Sequence, residues 1–120
     1  MNVILGIAIE ESSMNKPLTQ TRIIHTLRKE LPRLRAQYGV EKIALYGSFA
    51  KGAATRRSDV DLLVQLTRPL GLEFVQLACD LEKSLGRKVD LATFDTFQRG
   101  LERPRYARIA SDVARTLRYV

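Results

Sequence analysis

Apolar residues recur along this chain with two different periods, one typical of helices and the other of strands. From Leu18 onward, and again over residues 72–85, they recur every three or four positions, which predicts two amphipathic helices. Three shorter runs, KIALYG, DVDLLVQL and RKVDLAT, predict strands, and SFAKGAA predicts a short helix that opens at Ser48. Helices and strands that alternate in this way indicate an α/β or α+β domain in which helices flank a small sheet.

Prolines and glycines predict where the helices begin and end. Pro32 is poorly suited to a helix interior because it lacks an N–H group, so we expect it to open a second short helix, 32–38, that ends before Gly39. Pro104 is expected to begin the last helix. The apolar side chains that we expect to face the core from the later helices are Phe74, Val75, Ala78, Leu81, Leu85, Ile109, Val113 and Leu117.

The composition is that of one globular domain. The chain has 120 residues, of which 45% are hydrophobic and 28% charged, so a disordered chain is excluded. No apolar run approaches the ~18 residues that a membrane span requires, and the first residues do not resemble a secretory signal. The single Cys79 excludes an internal disulfide and a cysteine-rich zinc site. We expect Cys79 to be a small core residue and the protein to be cytoplasmic.

The formal net charge of +7 raises the question of a nucleic-acid ligand. The basic residues are dispersed, however, and no aromatic residues alternate with a basic run, so stacking of bases is not indicated. We therefore expect solvated helix faces, or a docking surface for an acidic partner, rather than direct binding of DNA or RNA.

The first residues differ in composition from the rest of the chain. Residues 1–13 contain no lysine or arginine and include Glu10 and Glu11. We interpret residues 1–17 as an N-terminal extension or tail and residues 18–120 as the single domain. Translation from Met1 and translation from Met14 both remain open.

Two aspartates stand at the start of the second predicted strand. Side chains alternate along a strand, so Asp59 and Asp61 face the same side with Cα atoms roughly 6.5–7 Å apart. Two carboxylates at this distance repel each other, which raises the pKa of one of them unless a cation intervenes. Mg²⁺ prefers such oxygen ligands and completes its octahedron with water and substrate phosphates. The pair therefore predicts a magnesium site for a phosphate-containing substrate.

Gly47 and Ser48, at the end of the first predicted strand, are suited to binding phosphate. Glycine allows an anion to approach the backbone closely, and the N-terminus of a helix offers unpaired N–H groups. The hydroxyl of Ser48 adds a donor. The segment is not a Walker A loop, because two alanines stand where Lys-Ser/Thr is required, and the chain contains no G-x-G-x-x-G.

A third carboxylate occurs at Asp90, inside the third predicted strand, where an aspartate is unfavourable. If this strand lies beside the second, Asp90 can join Asp59 and Asp61 on one face. Three carboxylates around Mg²⁺ suit nucleotidyl transfer, because metal ions neutralise the attacking and leaving oxygens and a carboxylate can take the proton of the acceptor hydroxyl. We therefore consider all three as candidate catalytic residues and metal ligands.

Each of these features also has a purely structural interpretation. Gly47 and Ser48 can form an ordinary strand-to-helix turn with Ser48 as the N-cap, and Asp59 and Asp61 can be a capping or strand-edge pair. Tyr46, next to the turn, is expected to pack in the core rather than to stack on a nucleotide. The order in which the features occur together favours the functional interpretation.

The segments GSFAKG and SDVDLLV, followed later by VDL, resemble the minimal nucleotidyltransferase domains of the DNA polymerase β-like superfamily. The resemblance runs from about Leu18 to Val120. It implies a mixed sheet flanked by helices, ATP as the donor and Mg²⁺ as the metal. The residues that it implies for the site are Asp59, Asp61 and Asp90 for metal binding and catalysis, and Gly47, Ser48, Lys51 and Ser58 for nucleotide binding.

Many stand-alone members of this family are antitoxins that are encoded with a HEPN-domain toxin and resemble enzymes that attach AMP to a toxin tyrosine. The resemblance therefore implies a protein adenylyltransferase that forms a hetero-oligomer with a HEPN toxin. Two alternatives stay open. One is an antitoxin that neutralises its partner by binding alone. The other is a nucleotidyltransferase of the aminoglycoside-modifying type, although a helical domain for the drug is not evident.

Overall fold

The computed structural model describes residues 17–120. All of the predicted extension except Pro17, and with it the question of Met1 or Met14, lies outside the described residues. The elements, in chain order, are α1 (Gln20–Tyr38), β1 (Val40–Tyr46), α2 (Gly47–Lys51), β2 (Val60–Leu66), α3 (Glu73–Leu85), β3 (Val89–Thr93), α4 (Phe94–Leu101), a 3₁₀ turn (Pro104–Tyr106), α5 (Ala107–Thr116) and β4 (Arg118–Tyr119). Among these helices, none is long and apolar enough to cross a membrane.

The strands form one mixed sheet with the order β3-β2-β1-β4. β1 is antiparallel to both β2 and β4, whereas β2 and β3 are parallel. A parallel pair needs a crossover connection, which α3 supplies between β2 and β3. The expected α+β fold, a small mixed sheet flanked by helices, is confirmed.

The main core lies between one face of the sheet and the helices α1 and α3. Its principal side chains are Ile23, Leu27 and Leu34 of α1, Ile43 and Leu45 of β1, Val60, Leu62 and Val64 of β2, and Leu77, Leu81 and Leu85 of α3. Because side chains alternate along a strand, Ala44 and Leu63 point to the opposite face, where they are also buried. On that second face α4 packs against the sheet, with the ring of Phe97 on the ring of Tyr46.

α1 is one continuous helix, so the prediction of a separate helix that begins at Pro32 is wrong. One apolar stripe is buried on both sides of the proline, and its members are Ile23, Leu27, Leu34 and Tyr38. The burial of this stripe outweighs the lost hydrogen bond and the clash of the proline ring with the preceding turn. Pro32 itself is exposed, so the helix accommodates it on the side that faces solvent.

The inward face of α3 is formed by Leu77, Leu81 and Leu85. Val75, which was predicted to face inward, is 60% exposed. Successive residues of a helix are turned by about 100°, so Val75, two positions before Leu77, points to the far side. Cys79, two positions after Leu77, is exposed for the same reason and is not a core residue, contrary to the prediction.

The C-terminal part of the chain differs from the prediction in two respects. α4 has no counterpart among the predicted elements; Thr93 caps it by accepting a hydrogen bond from the N–H of Thr96 at 3.1 Å. α5 begins after the turn that starts at Pro104 and ends before Leu117, because the chain leaves the helix there to pair with β1 as β4. Ile109, which was expected to face the core, is 51% exposed.

Replacement of Pro32 by alanine tests the balance of forces in α1. Alanine restores an N–H donor to the helix interior and removes the clash of the ring with the carbonyl group of Arg28. Since Pro32 is exposed, the substitution removes little packing. We expect Pro32→Ala to raise the free energy of unfolding by about 1–3 kcal/mol, measured by urea denaturation. An unchanged or lower value would contradict the cost assigned to this proline.

Candidate active site

Asp61 and Asp90 lie side by side on neighbouring strands. The parallel register of β2 and β3 pairs Asp61 with Asp90, and the antiparallel register of β1 and β2 pairs Asp61 with Tyr46. Residues that are directly opposite on adjacent strands project to the same face. Tyr46, Asp61 and Asp90 therefore form a row across the sheet, which we call the carboxylate row. Asp59, two positions before Asp61, is close enough to act on the charge of Asp61.

The carboxylate row concentrates negative charge with no counter-charge of its own. Within residues 17–120, the side chains of Asp59, Asp61 and Asp90 make no hydrogen bond or ion pair. Burial, reinforced by the charges of Asp90 and Asp59, raises the pKa of Asp61 to about 6. Burial, followed by the charges of Asp61 and Asp90, raises the pKa of Tyr46 to about 12. An external cation would relieve this repulsion.

Gly47 brings the start of α2 directly against Asp61. Its φ is 73°, and a Cβ atom built on it would overlap Oδ2 of Asp61 and lie 3.0 Å from Cγ. Both the conformation and the space therefore require glycine. The sequence predicted that a ligand phosphate would approach this glycine, whereas the anion that lies against it in the structure is a carboxylate of the protein.

The remaining predicted nucleotide-binding residues lie around α2 and differ in their contacts. Ser48 is the second residue of α2 rather than its N-cap, and its hydroxyl makes no hydrogen bond within the described part of the chain. Lys51 forms an ion pair with Asp112 of α5. The hydroxyl of Ser58 accepts a hydrogen bond from the N–H of Thr55 at 2.8 Å. Ser48 is thus available to a ligand, Lys51 must exchange partners to reach one, and Ser58 shapes the loop before β2.

Two polar side chains support the site although the sequence did not single them out. Gln20 of α1 donates from Nε2 to the carbonyl oxygens of Ala50 at 2.8 Å and Phe49 at 3.3 Å, at the end of α2. Arg87, which precedes β3, donates to the carbonyl oxygen of Ser58 at 3.0 Å. Each contact joins residues that are far apart in the sequence, so no local pattern could have indicated it.

A cavity of about 620 Å³ opens beside Tyr46, which is half-buried at its border. Phe97 of α4, whose ring centroid is 4.9 Å from that of Tyr46, and apolar residues of α5 line the cavity. Its charged lining residues are Lys51, Arg108, Asp112 and Arg115. Lys51 and then Arg115, which donates at 2.8 Å, lower the pKa of Asp112. The lining is therefore net positive and lies next to the negative carboxylate row.

The residues of the site suit Mg²⁺ but do not form a complete cage for it. Over residues 17–120, no three His, Cys, Asp or Glu side chains are arranged so that they could hold a metal ion together. The structure thus pairs Asp61 with Asp90 and places Asp59 nearby without grouping all three around one point. Mg²⁺ usually takes one or two carboxylates from a protein and its other ligands from water and phosphate groups. The set therefore offers a partial site for a metal ion, and water and substrate phosphates would complete the coordination.

The comparison with known families decides what kind of domain this geometry represents. The family model for the nucleotidyltransferase domain matches residues 24–116, which include all three acids. The chain belongs to the nucleotidyltransferase-domain family. The resemblance inferred from GSFAKG and SDVDLLV is thereby confirmed.

Individual relatives agree with this assignment. The nucleotidyltransferase is 36% identical over 85 residues to the protein adenylyltransferase MntA of Thermococcus cleftensis, which covers 70% of this chain and 86% of the relative. A solved structure provisionally assigned as a minimal nucleotidyltransferase is 33% identical with a TM-score of 0.55, over 78% of this chain and 92% of the other. A crystal structure of a mutant toxin–antitoxin MntA-HpeT is 25% identical with a TM-score of 0.50, over 87% and 72%.

Alanine substitutions at two glycines separate backbone strain from a clash at the site. Gly47 and Gly52 have nearly equal φ values, 73° and 72°, but at Gly52 a Cβ atom would meet nothing within 4 Å. We expect each substitution to lower the unfolding free energy by about 1–2 kcal/mol because of the left-handed conformation. Gly47→Ala should also displace Asp61 and lower nucleotidyl transfer by about 100-fold. Gly52→Ala should retain transfer, and equal activities of the two variants would refute the importance of the contact.

The raised pKa of Asp61 predicts a pH-dependent stability difference between the nucleotidyltransferase and its Asp61→Asn variant. A carboxyl group with a higher pKa in the folded state stabilises the fold while protonated, and this contribution is lost as the pH rises through about 6. Without divalent ions, the variant should match the wild type below pH ~4 and be more stable by about 1–2 kcal/mol at pH 8, with partial exposure taken into account.

Urea denaturation between pH 4 and pH 8 measures this difference. The control is Asp95→Asn, which removes an exposed carboxylate that pairs with Arg99 at 2.9 Å. We expect no comparable gain in stability from the control. A gap between Asp61→Asn and the wild type that does not change with pH would show that the Asp61 charge is not under strain in the fold.

Proposed function

We propose that this nucleotidyltransferase transfers AMP from ATP to a tyrosine of a HEPN-domain toxin and so acts as an antitoxin that pairs with its toxin. The observation that supports the proposal most is the carboxylate row, in which charges without partners stand beside a cationic cavity. The similarity to a protein adenylyltransferase and to a toxin–antitoxin complex supports a protein as the acceptor.

In this proposal, Asp59, Asp61 and Asp90 would hold Mg²⁺, which would neutralise charge on the phosphate oxygens. The contribution of the protein is mainly to position groups and to complement charge. Gly47 sets the distance between α2 and Asp61, because any side chain there would displace the carboxylate. The hydroxyl of Ser48 is free to donate to a phosphate oxygen of ATP.

We place the nucleotide in the cavity beside Tyr46. The aromatic side chains of Tyr46 and Phe97 provide an apolar wall for the base, and Lys51 and Arg108 provide positive charge for the phosphates. Lys51 can leave Asp112 for a phosphate at low cost, because Asp112 retains its contact with Arg115 and the pair is partly exposed to solvent.

The acceptor hydroxyl approaches from the side of Asp90 in this proposal. β3 is an edge strand of the sheet and Asp90 is exposed, so it is the acid of the row that a second protein can reach. The oxygen of the hydroxyl forms a bond to the α-phosphorus, the bond to pyrophosphate breaks, and the proton passes to Asp90 as the general base.

A transfer assay with the product of the adjacent open reading frame tests the proposed function. The nucleotidyltransferase is incubated with this partner, Mg²⁺ and ATP labelled at the α-phosphate. We expect label on a partner tyrosine, a loss of at least about 100-fold for Asp61→Asn, and no label when Mg²⁺ is chelated. Asp95→Asn is the matched control and should retain activity, since Asp95 pairs with Arg99 away from the row.

The same variants distinguish catalysis from neutralisation by binding alone. If the protein acts as an enzyme, Asp61→Asn should bind the toxin normally and yet fail to neutralise it in cells. Normal neutralisation by Asp61→Asn, with no label on the partner of the wild type, would show that binding alone is sufficient and would overturn the proposal.

A further inference from the structure

Arg87 joins the loop before Asp59 to the start of β3. Its Nη1 donates to the carbonyl oxygens of Ser58 at 3.0 Å and Thr55 at 3.4 Å. Its guanidinium carbon lies 5.7 Å from the centroid of the Phe49 ring in α2. The side chain is half-buried and forms no ion pair with any residue of the described range. Its donors thus act on backbone oxygens rather than on a carboxylate, which is a costly use of a half-buried cation unless the loop needs to be held.

Lys88, the residue after Arg87, also contacts the backbone next to Asp59. The N–H of Val60 donates to the carbonyl oxygen of Lys88 at 2.9 Å. Asp59 stands between Ser58 and Val60, so the segment of residues 87 and 88 fixes the backbone on both sides of it. The side chain of Asp59 is exposed and has no hydrogen bond or ion pair within residues 17–120. Its position is therefore set by the backbone alone.

We propose that Arg87 is a positioning residue that sets Asp59 relative to Asp61 and Asp90. The inference rests on the proposed function, because it assigns a role within the same site. Asp90 follows Arg87 by three residues. The segment of residues 87–90 therefore carries Asp90 on β3 and also contacts the loop next to Asp59 through Arg87. Since the three acids are not grouped in advance, the placement of Asp59 decides whether a third oxygen ligand is available.

This combination of contacts suits arginine, because Nη1 donates to both carbonyl oxygens while the guanidinium carbon lies over the ring of Phe49. A guanidinium presents several N–H donors in a rigid plane and can contact two carbonyl oxygens while its face lies over an aromatic ring. The ammonium of lysine is a point charge at the end of a flexible stem. Arg87→Lys therefore keeps the positive charge near the site but removes the planar group of N–H donors. The variant thus separates positioning from a general electrostatic effect.

Three variants test the inference. Arg87→Gln removes the charge and the planar group, Arg87→Lys keeps the charge, and Arg28→Gln makes the same charge change at an exposed position of α1. The measurements are Mn²⁺ binding by electron paramagnetic resonance in the absence of nucleotide, hydrogen exchange of the Val60 amide, thermal stability, and kcat and KM of AMP transfer.

We expect both Arg87 variants to bind Mn²⁺ about 10-fold more weakly and to transfer AMP with a kcat about 10-fold lower, with KM for ATP changed less than about twofold. The Val60 amide should exchange faster in both, whereas Arg28→Gln should match the wild type throughout. If Arg87→Gln fails to fold, Arg87→Lys provides the test on its own, because it retains the aliphatic stem and the charge.

Four results would overturn the inference. The first is full recovery of Mn²⁺ affinity and kcat in Arg87→Lys. The second is a lower melting temperature with unchanged Mn²⁺ affinity, which would leave Arg87 a merely structural residue. The third is a raised KM for ATP with unchanged Mn²⁺ affinity, which would make it a phosphate ligand. The fourth is a wild type that binds no Mn²⁺.

A wild type that binds Mn²⁺ but labels no partner would refute the proposed function alone, and the Mn²⁺ and exchange measurements would still decide the role of Arg87.

Discussion

The parallel register of β2 and β3 sets two like charges directly opposite each other, and the rest of the site depends on this placement. Asp61 pairs with Asp90, and partial burial of Asp61 increases the repulsion between them. The fold tolerates this cost because the buried residues of the described chain are all hydrophobic and most of them lie on the other face of the sheet. Burial of apolar side chains on one face of the sheet therefore offsets the charge repulsion on the other face.

The distribution of the positive charges preserves this unfavourable arrangement. The chain has a net charge of +7, yet within the described residues no lysine or arginine pairs with the acids of the site. Lys51, the basic residue of the nearby helix α2, is paired with Asp112 instead. An internal ion pair would lower the pKa of Asp61 and satisfy its oxygens, and a metal ion would then have to displace that partner. Without such a pair, the repulsion between the acids adds to the affinity for a cation from outside.

Local pattern predicted the strand β2 that carries Asp61, whereas Asp59 lies one residue before this strand begins. The relation of Asp61 to Asp90 depends on which strand neighbours β2 and in what register. Local pattern also failed at Pro32, where tertiary packing outweighs helix propensity. It failed at Val75 because apolar residues occur on more than one side of the helix, so the sequence does not show which side is buried. The contacts of Arg87 join residues that are distant in sequence, so only the folded chain shows them.

The direction of the carboxylate row across the sheet matches the direction of the proposed reaction. In an in-line displacement the attacking and leaving oxygens lie on opposite sides of the phosphorus. Along the row, the exposed Asp90 stands on the edge strand at one end, and Tyr46, with the cationic cavity beside it, stands at the other. Asp61 lies between them. An acceptor that enters at the edge strand and a pyrophosphate that leaves toward the cavity would thus lie on opposite sides of a phosphorus held beside Asp61, which is the arrangement that an in-line displacement requires.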